Sequence, residues 1–210
     1  MYIIPGYSMM AATATTFMLS IIFLLLSEQS KKQYMRFWGI SWLVYSAMFL
    51  LDFCHLNWDF IYLGYVMLRQ MLALLGAYTF LLGTHHFFQI KYPAFLGFAA
   101  ILSTISMSLY PAFNMVYTLM IIPNIIFSSG LLIYSGCMFI AISWTQKLPE
   151  KLIASFLIIL WSIFINHFAF SLKNQQLEIF SYFISIFTVN VLILTLIIIY
   201  FKKLRFIDTK

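Results

Sequence analysis

An all-α bundle of seven membrane-spanning helices is the fold class this sequence predicts. Three observations predict it. Of 210 residues, 63% are hydrophobic and 9% are charged, with a mean hydropathy of +0.96. An ordinary soluble domain is roughly 25% charged. Apolar runs near the ~20 residues that a spanning helix needs recur along the chain, separated by short polar breaks. The basic residues collect on alternate breaks, as cytoplasmic loops of a membrane protein do.

The runs are predicted at about 7–26, 37–54, 61–88, 94–109, 116–142, 152–171 and 179–201. The first opens with AATATT (Ala11–Thr16), small residues that let another helix approach closely. The preceding residues hold no Lys or Arg, so the run lacks the basic flank of a signal peptide and reads as a retained helix. The fifth run contains Pro123, which predicts a kink. The loops are short, so neighbouring helices are expected to be antiparallel. The second and sixth runs both leave a basic loop with an early Trp, which suits a three-plus-one-plus-three duplication.

Lys31, Lys32, Arg36, Lys91, Lys147, Lys151, Lys202, Lys203, Arg205 and Lys210 fall in the first, third and fifth loops and the tail. Lys173 alone falls on the other side. This places the N-terminus outside and the C-terminus in the cytoplasm of a cell membrane that the chain crosses many times. The net charge of +6 would suggest nucleic acid for a soluble protein. Here it reflects basic loops, and the expected partner is the lipid bilayer. Cys54 and Cys137 are predicted near opposite faces, too far apart for a disulfide.

The third run, IYLGYVMLRQMLALLGAYTFLLGTHHFF, carries a single Arg or Lys, Arg69. It lies ~13 Å inside by the helical rise. A guanidinium in hydrocarbon costs at least ~2.5–3.5 kcal/mol on insertion scales, so Arg69 requires a buried anion or a polar cavity. An outward-reaching Arg69 head comes toward Asp52 or Asp59, and Asp52, near the outer end of the second run, is the expected partner. Gly76 and Gly83 share the Arg69 face, so a neighbouring helix backbone is expected close along it. Asn124, His167 and Asn190 are predicted at similar depth and are candidates, with Arg69 and Asp52, to line one ligand cavity in the outer half. His85 and His86 lie ~24 Å from Arg69 along the axis and are expected at the inner membrane interface. Asp52, His55, Asp59 and His167 make a weak metal set, and no HExxH motif or Cys cluster supports one.

Familiar chemistries are missing. The seventh run has no Lys for a retinal Schiff base. There is no Gly-x-Ser-x-Gly and no phosphate-binding glycine loop. No enzyme activity and no cofactor are expected.

RFWGISWLVYSAMFLL followed by LLGTHHFFQIKYP, within Met35–Pro93, resembles the multi-span sensor modules at the N-terminus of bacterial histidine kinases and diguanylate cyclases. Arg36, Trp38, Trp42, Gly83, Phe87 and Phe88 carry the resemblance. It implies a sensor or receptor in signal transduction that binds a small ligand and signals through the seventh helix. That helix runs into KKLRFIDTK without Gly or Pro, with Ile197 and Leu204 one heptad apart. As the sequence ends at Lys210, signalling is expected to need a separate partner or a homodimer. Two other classes fit the same residues. One is a small-solute transporter or substrate-binding membrane subunit, and the other is a scaffold without ligand.

Overall fold

The computed structural model describes residues 3–57, 62–108, 117–146, 149–171 and 187–202, and all elements among them are helical. They are α1 (Ile3–Ser30), α2 (Gln33–Asn57), α3 (Tyr62–Phe88), α4 (Ala94–Ser108), α5 (Tyr117–Gln146), α6 (Pro149–Ser171) and α7 (Phe187–Lys202). Helices are the expected answer to an apolar solvent, because every backbone N–H and C=O inside a spanning helix is bonded internally. Stretches long and apolar enough to cross a membrane occupy Met9–Ser30, Gln33–His55, Gly64–Phe88 and Ile122–Ile142. The chain is thus an all-helical membrane protein with four such helices among its described residues.

The helices outrun the predicted apolar runs. α1 extends through Ser27–Ser30, and α2 begins at Gln33. Polar residues at a helix end keep their backbone bonds while their side chains reach water, so hydropathy alone truncates both. Lys31 then turns the chain with a left-handed φ of 53°, and Gln89 with 58° stops α3. Behind Gln89, the Ile90 N–H donates to the His85 carbonyl at 3.0 Å and the Gln89 N–H to the His86 carbonyl at 3.4 Å. This pair of bonds satisfies carbonyls left over at a helix end.

The chain divides into two compact units, Met1–Leu131 and Leu132–Lys210, with α5 running through the boundary. In the first unit α2 packs along both α1 and α3, and α4 touches α3 more lightly. One stripe of α2, Trp38, Trp42, Tyr45, Phe49 and Asp52, is buried at helical spacing. Trp38 lies face to face with Phe80 of α3 at 6.0 Å and edge-on to Phe23 of α1 at 6.0 Å. Trp42 meets Phe80 edge-on at 6.2 Å. The opposing stripe of α3, Arg69, Ala73, Gly76, Phe80, Gly83 and Phe87, is buried as well.

The glycines explain how such large rings fit. A Cβ on Gly76 would stand 2.7 Å from the Tyr45 ring, and one on Gly83 would collide with Trp38. The stripe was expected to admit a helix backbone. Instead it admits two aromatic rings, because α2 places bulky residues opposite the small ones. The Ser41 hydroxyl also donates to the Gly76 carbonyl at 2.8 Å. The AATATT stretch does serve close approach: Ser46 of α2 donates to the Thr13 carbonyl of α1 at 3.0 Å.

The histidines at the end of α3 separate. His86 is exposed and stacks on Phe37 at 5.0 Å. His85 is buried within the protein at the end of α3. Its Nδ1 lies 3.3 Å from the Ile90 carbonyl, and its ring meets Tyr92 edge-on. The turn at Gln89 folds Ile90 and Tyr92 back over it.

In the second unit the close contact is between α5 and α6. Ser155 donates to the Gly136 carbonyl at 2.8 Å, and a Cβ on Gly136 would lie 2.8 Å from Ile159. Leu132, Phe139, Ile158, Trp161, Leu192 and Leu196 are also buried in this unit. At one end Lys202 of α7 pairs with Glu150 of α6 at 2.9 Å. Cys54 is half-buried and Cys137 exposed, and neither is disulfide-bonded.

Candidate functional site

Asp52 is buried because it ends the Trp38–Phe49 stripe of α2, and Arg69 because it begins the facing stripe of α3. The two stripes converge, and the charges meet. Arg69 Nε donates to both carboxylate oxygens of Asp52, at 3.0 and 3.3 Å. The side chains are 3% and 0% exposed. The ion pair anticipated from helical depth is therefore present, and water has little access to it.

Two residues complete this centre that the sequence reading did not assign to it. Tyr65, one turn before Arg69, donates its hydroxyl to Asp52 Oδ1 at 2.8 Å. The carboxylate thus takes a neutral and a charged donor from the same face of α3. His55, one turn after Asp52, lies flat on the Tyr65 ring with centroids 3.8 Å apart and planes 10° apart. The signal for Tyr65 was its spacing of four from Arg69, which puts both on one face. The signal for His55 was its spacing of three from Asp52.

Asn124 joins a different network. Its Nδ2 donates to the Gln70 carbonyl at 3.0 Å and lies 3.3 Å from Gln70 Oε1, while its Oδ1 accepts from Ser103 at 2.8 Å. Arg69 and Gln70 are consecutive, so their side chains leave α3 about 100° apart. Asp52 and Asn124 therefore approach α3 from directions about 100° apart, Asp52 at Arg69 and Asn124 at Gln70. Asn124 ties α3, α4 and α5 together just after Pro123, which lies inside α5. Gln70 is fully buried, and its Nε2 has no acceptor among the described residues.

Asn190 is half-buried on α7, in the second unit. His167 belongs to α6, but its side chain lies outside the described residues, as do Asp59, Lys173 and Leu204. Among the described residues no group of three or more His, Cys, Asp or Glu could hold a metal ion.

Chemically, the Asp52–Arg69 centre is an anion site already filled by the protein's own carboxylate. Its physical property is a large penalty for separation, because pulling either charge away leaves the other in a low-dielectric interior. The chain matches no protein-family model, no curated protein and no solved structure.

Proposed function

We propose that the chain is a membrane-embedded receptor module in which Asp52 holds Arg69 until a small anionic ligand competes for the guanidinium. The observation that carries this reading is the burial of a full charge pair with a tyrosine and a histidine arranged on it. A packing contact alone is served as well by apolar residues of similar volume, often with greater stability. A retained buried pair suits an element with two arrangements. The resemblance of Met35–Pro93 to bacterial sensor modules supports the same class. Seven spans, an outside N-terminus and an output through α7 to a separate partner or a second copy belong to this proposal. The distribution of Lys and Arg supports them.

The near-complete burial of Arg69 favours a second reading, a ligand-free scaffold in which the pair only locks α2 to α3. A thermal-shift screen of carboxylates, phosphates and sulfonates on purified protein separates the two. A receptor is expected to give at least one anion that raises the midpoint of wild type and raises Asp52→Asn more, because the competing carboxylate is gone. The same anion should do nothing to Asp52→Leu/Arg69→Met. If no anion acts on wild type or on Asp52→Asn, the receptor reading fails and the scaffold stands. Cysteine labelling in the loops tests orientation: reagents confined to the outside should modify a Cys placed at Lys173 but not one placed at Lys91.

A further inference from the structure

We propose that the end of the first unit where α1 passes into α2 and α3 stops is a binding surface for the headgroups of anionic phospholipids. The sequence separates its two parts. Lys31, Lys32 and Arg36 lie in and after the α1–α2 turn, and Lys91 lies after α3. The fold brings them to one end. Phe37 stacks on His86, and Tyr34 meets Phe87 edge-on at 5.1 Å, so the start of α2 is held against the end of α3. All four cations are exposed, and neither ion pair among the described residues engages any of them. The flanking sequence from Ser27 to Arg36 and from His85 to Pro93 contains one carboxylate, Glu28.

The cations are presented on fixed turns rather than on a loose tail. Lys31 sits in the left-handed turn itself, and the Met35 N–H closes on the Lys32 carbonyl at 3.1 Å. Lys91 follows the double-bonded stop at Gln89, which the His85 ring braces through the Ile90 carbonyl. Between Gln89 and Lys91 stands Ile90, 45% exposed. An isoleucine beside a lysine at a helix end suits the border between acyl chains and headgroups. So does Tyr92, half-buried one residue beyond Lys91, since tyrosine rings favour this depth. A soluble phosphate would be served by the cations alone. The exposed Ile90 and the part-exposed Tyr92 beside Lys91 favour a phosphate that carries an acyl body. This surface lies at the opposite end of α3 from Arg69, so it acts independently of any ligand there.

The test is a titration of phosphatidylglycerol against phosphatidylcholine into the purified protein in a neutral detergent, read as the rise in thermal midpoint. Phosphatidylglycerol is expected to stabilise wild type at lower concentration than phosphatidylcholine. The variant Lys31→Gln/Lys32→Gln/Lys91→Gln is expected to need on the order of a hundred-fold more phosphatidylglycerol for half the shift, from about five-fold per cation. The variant Lys203→Gln/Arg205→Gln/Lys210→Gln removes equal charge from the tail and is expected to keep the wild-type preference. Should the first triple variant fail to fold, Lys91→Gln alone is expected to show the single-cation loss of about five-fold. The proposal is overturned if wild type does not distinguish the two lipids. It is also overturned if the tail variant loses as much preference as the turn variant, or if inorganic phosphate reproduces the whole shift.

Discussion

Among the described residues, two ion pairs of nearly equal length sit in opposite surroundings. Arg69 and Asp52 meet at 3.0 Å with side chains 3% and 0% exposed, whereas Lys202 and Glu150 meet at 2.9 Å with side chains 53% and 11% exposed. Distance does not separate them; solvent does. Water screens the Lys202 ammonium, and a pair of that kind contributes about 0–1 kcal/mol. The Arg69 pair has no such screening, so the loss of one partner strands a charge. Its two donors are side chains of a single helix. Its carboxylate is held by Tyr65 as well as by Arg69, and both donors stand on a helix whose position is set by rings locked into glycine notches.

The comparison breaks most visibly at Arg69. Arg69→Met is expected to cost about 3–5 kcal/mol, read from reversible unfolding in mixed micelles. Lys202→Met at the other pair should stay within about 1 kcal/mol. A loss at Arg69 no larger than that at Lys202 would show that the buried pair is hydrated.

Next in size is the notch that positions the pair. Gly83→Ala is expected to cost about 1–3 kcal/mol by overpacking against Trp38, and Trp38→Phe in the same chain should return part of it. Gly130→Ala is the control, since a Cβ there meets nothing within 4 Å. Equal effects at Gly83 and Gly130 would remove the notch from the explanation.

Asn124→Ala should be smaller, about 1 kcal/mol, because it removes interhelical hydrogen bonds and leaves Ser103 and Gln70 to find other partners. It should not change the coupling between Asp52 and Arg69, since its bonds run to Gln70 and Ser103. A changed coupling would merge the two polar networks into one.

The smallest effect belongs to Glu150. Burial opposes its ionisation, but the hydrogen bond and charge of Lys202, a backbone hydrogen bond and the charge of Lys151 outweigh it and hold the carboxyl below its ordinary value of 4.5. A carboxyl lowered in the folded state adds stability above the unfolded value, and this is lost as the pH falls through the folded value. Wild type should therefore lose midpoint below about pH 4.5 by this route. Glu150→Gln should flatten that limb slightly while leaving the neutral-pH midpoint nearly unchanged. Identical acid limbs would assign the loss to other carboxyls.

Much of the buried pair was legible in the sequence. One charge in a long apolar run demands an anion, and the depth of Arg69 left Asp52 as the acid nearest in height. The glycines on the same face told which way Arg69 points. What they did not tell was what would fill the notches, because that depends on the rotation of α2 about its own axis, which places Trp38 and Tyr45 opposite Gly83 and Gly76. The same limit explains Asn124. Depth along the membrane follows from counting residues, but the side from which a helix approaches does not. Asn124 shares the height of Arg69 and reaches Gln70 instead. The burial of His85 was not legible, because a left-handed stop at a glutamine is not visible in composition, and the residues after that stop fold back over the ring.

The most direct test of the central claim is the double-mutant cycle joining Asp52 and Arg69, with unfolding free energies of wild type, Asp52→Asn, Arg69→Met and the double variant. A buried pair whose separation is strongly penalised predicts two large single losses and a double variant at least as stable as the better single, for a coupling of about 2 kcal/mol or more. Losses that add to within about 0.5 kcal/mol would contradict it, since they would mean that each charge is satisfied without the other.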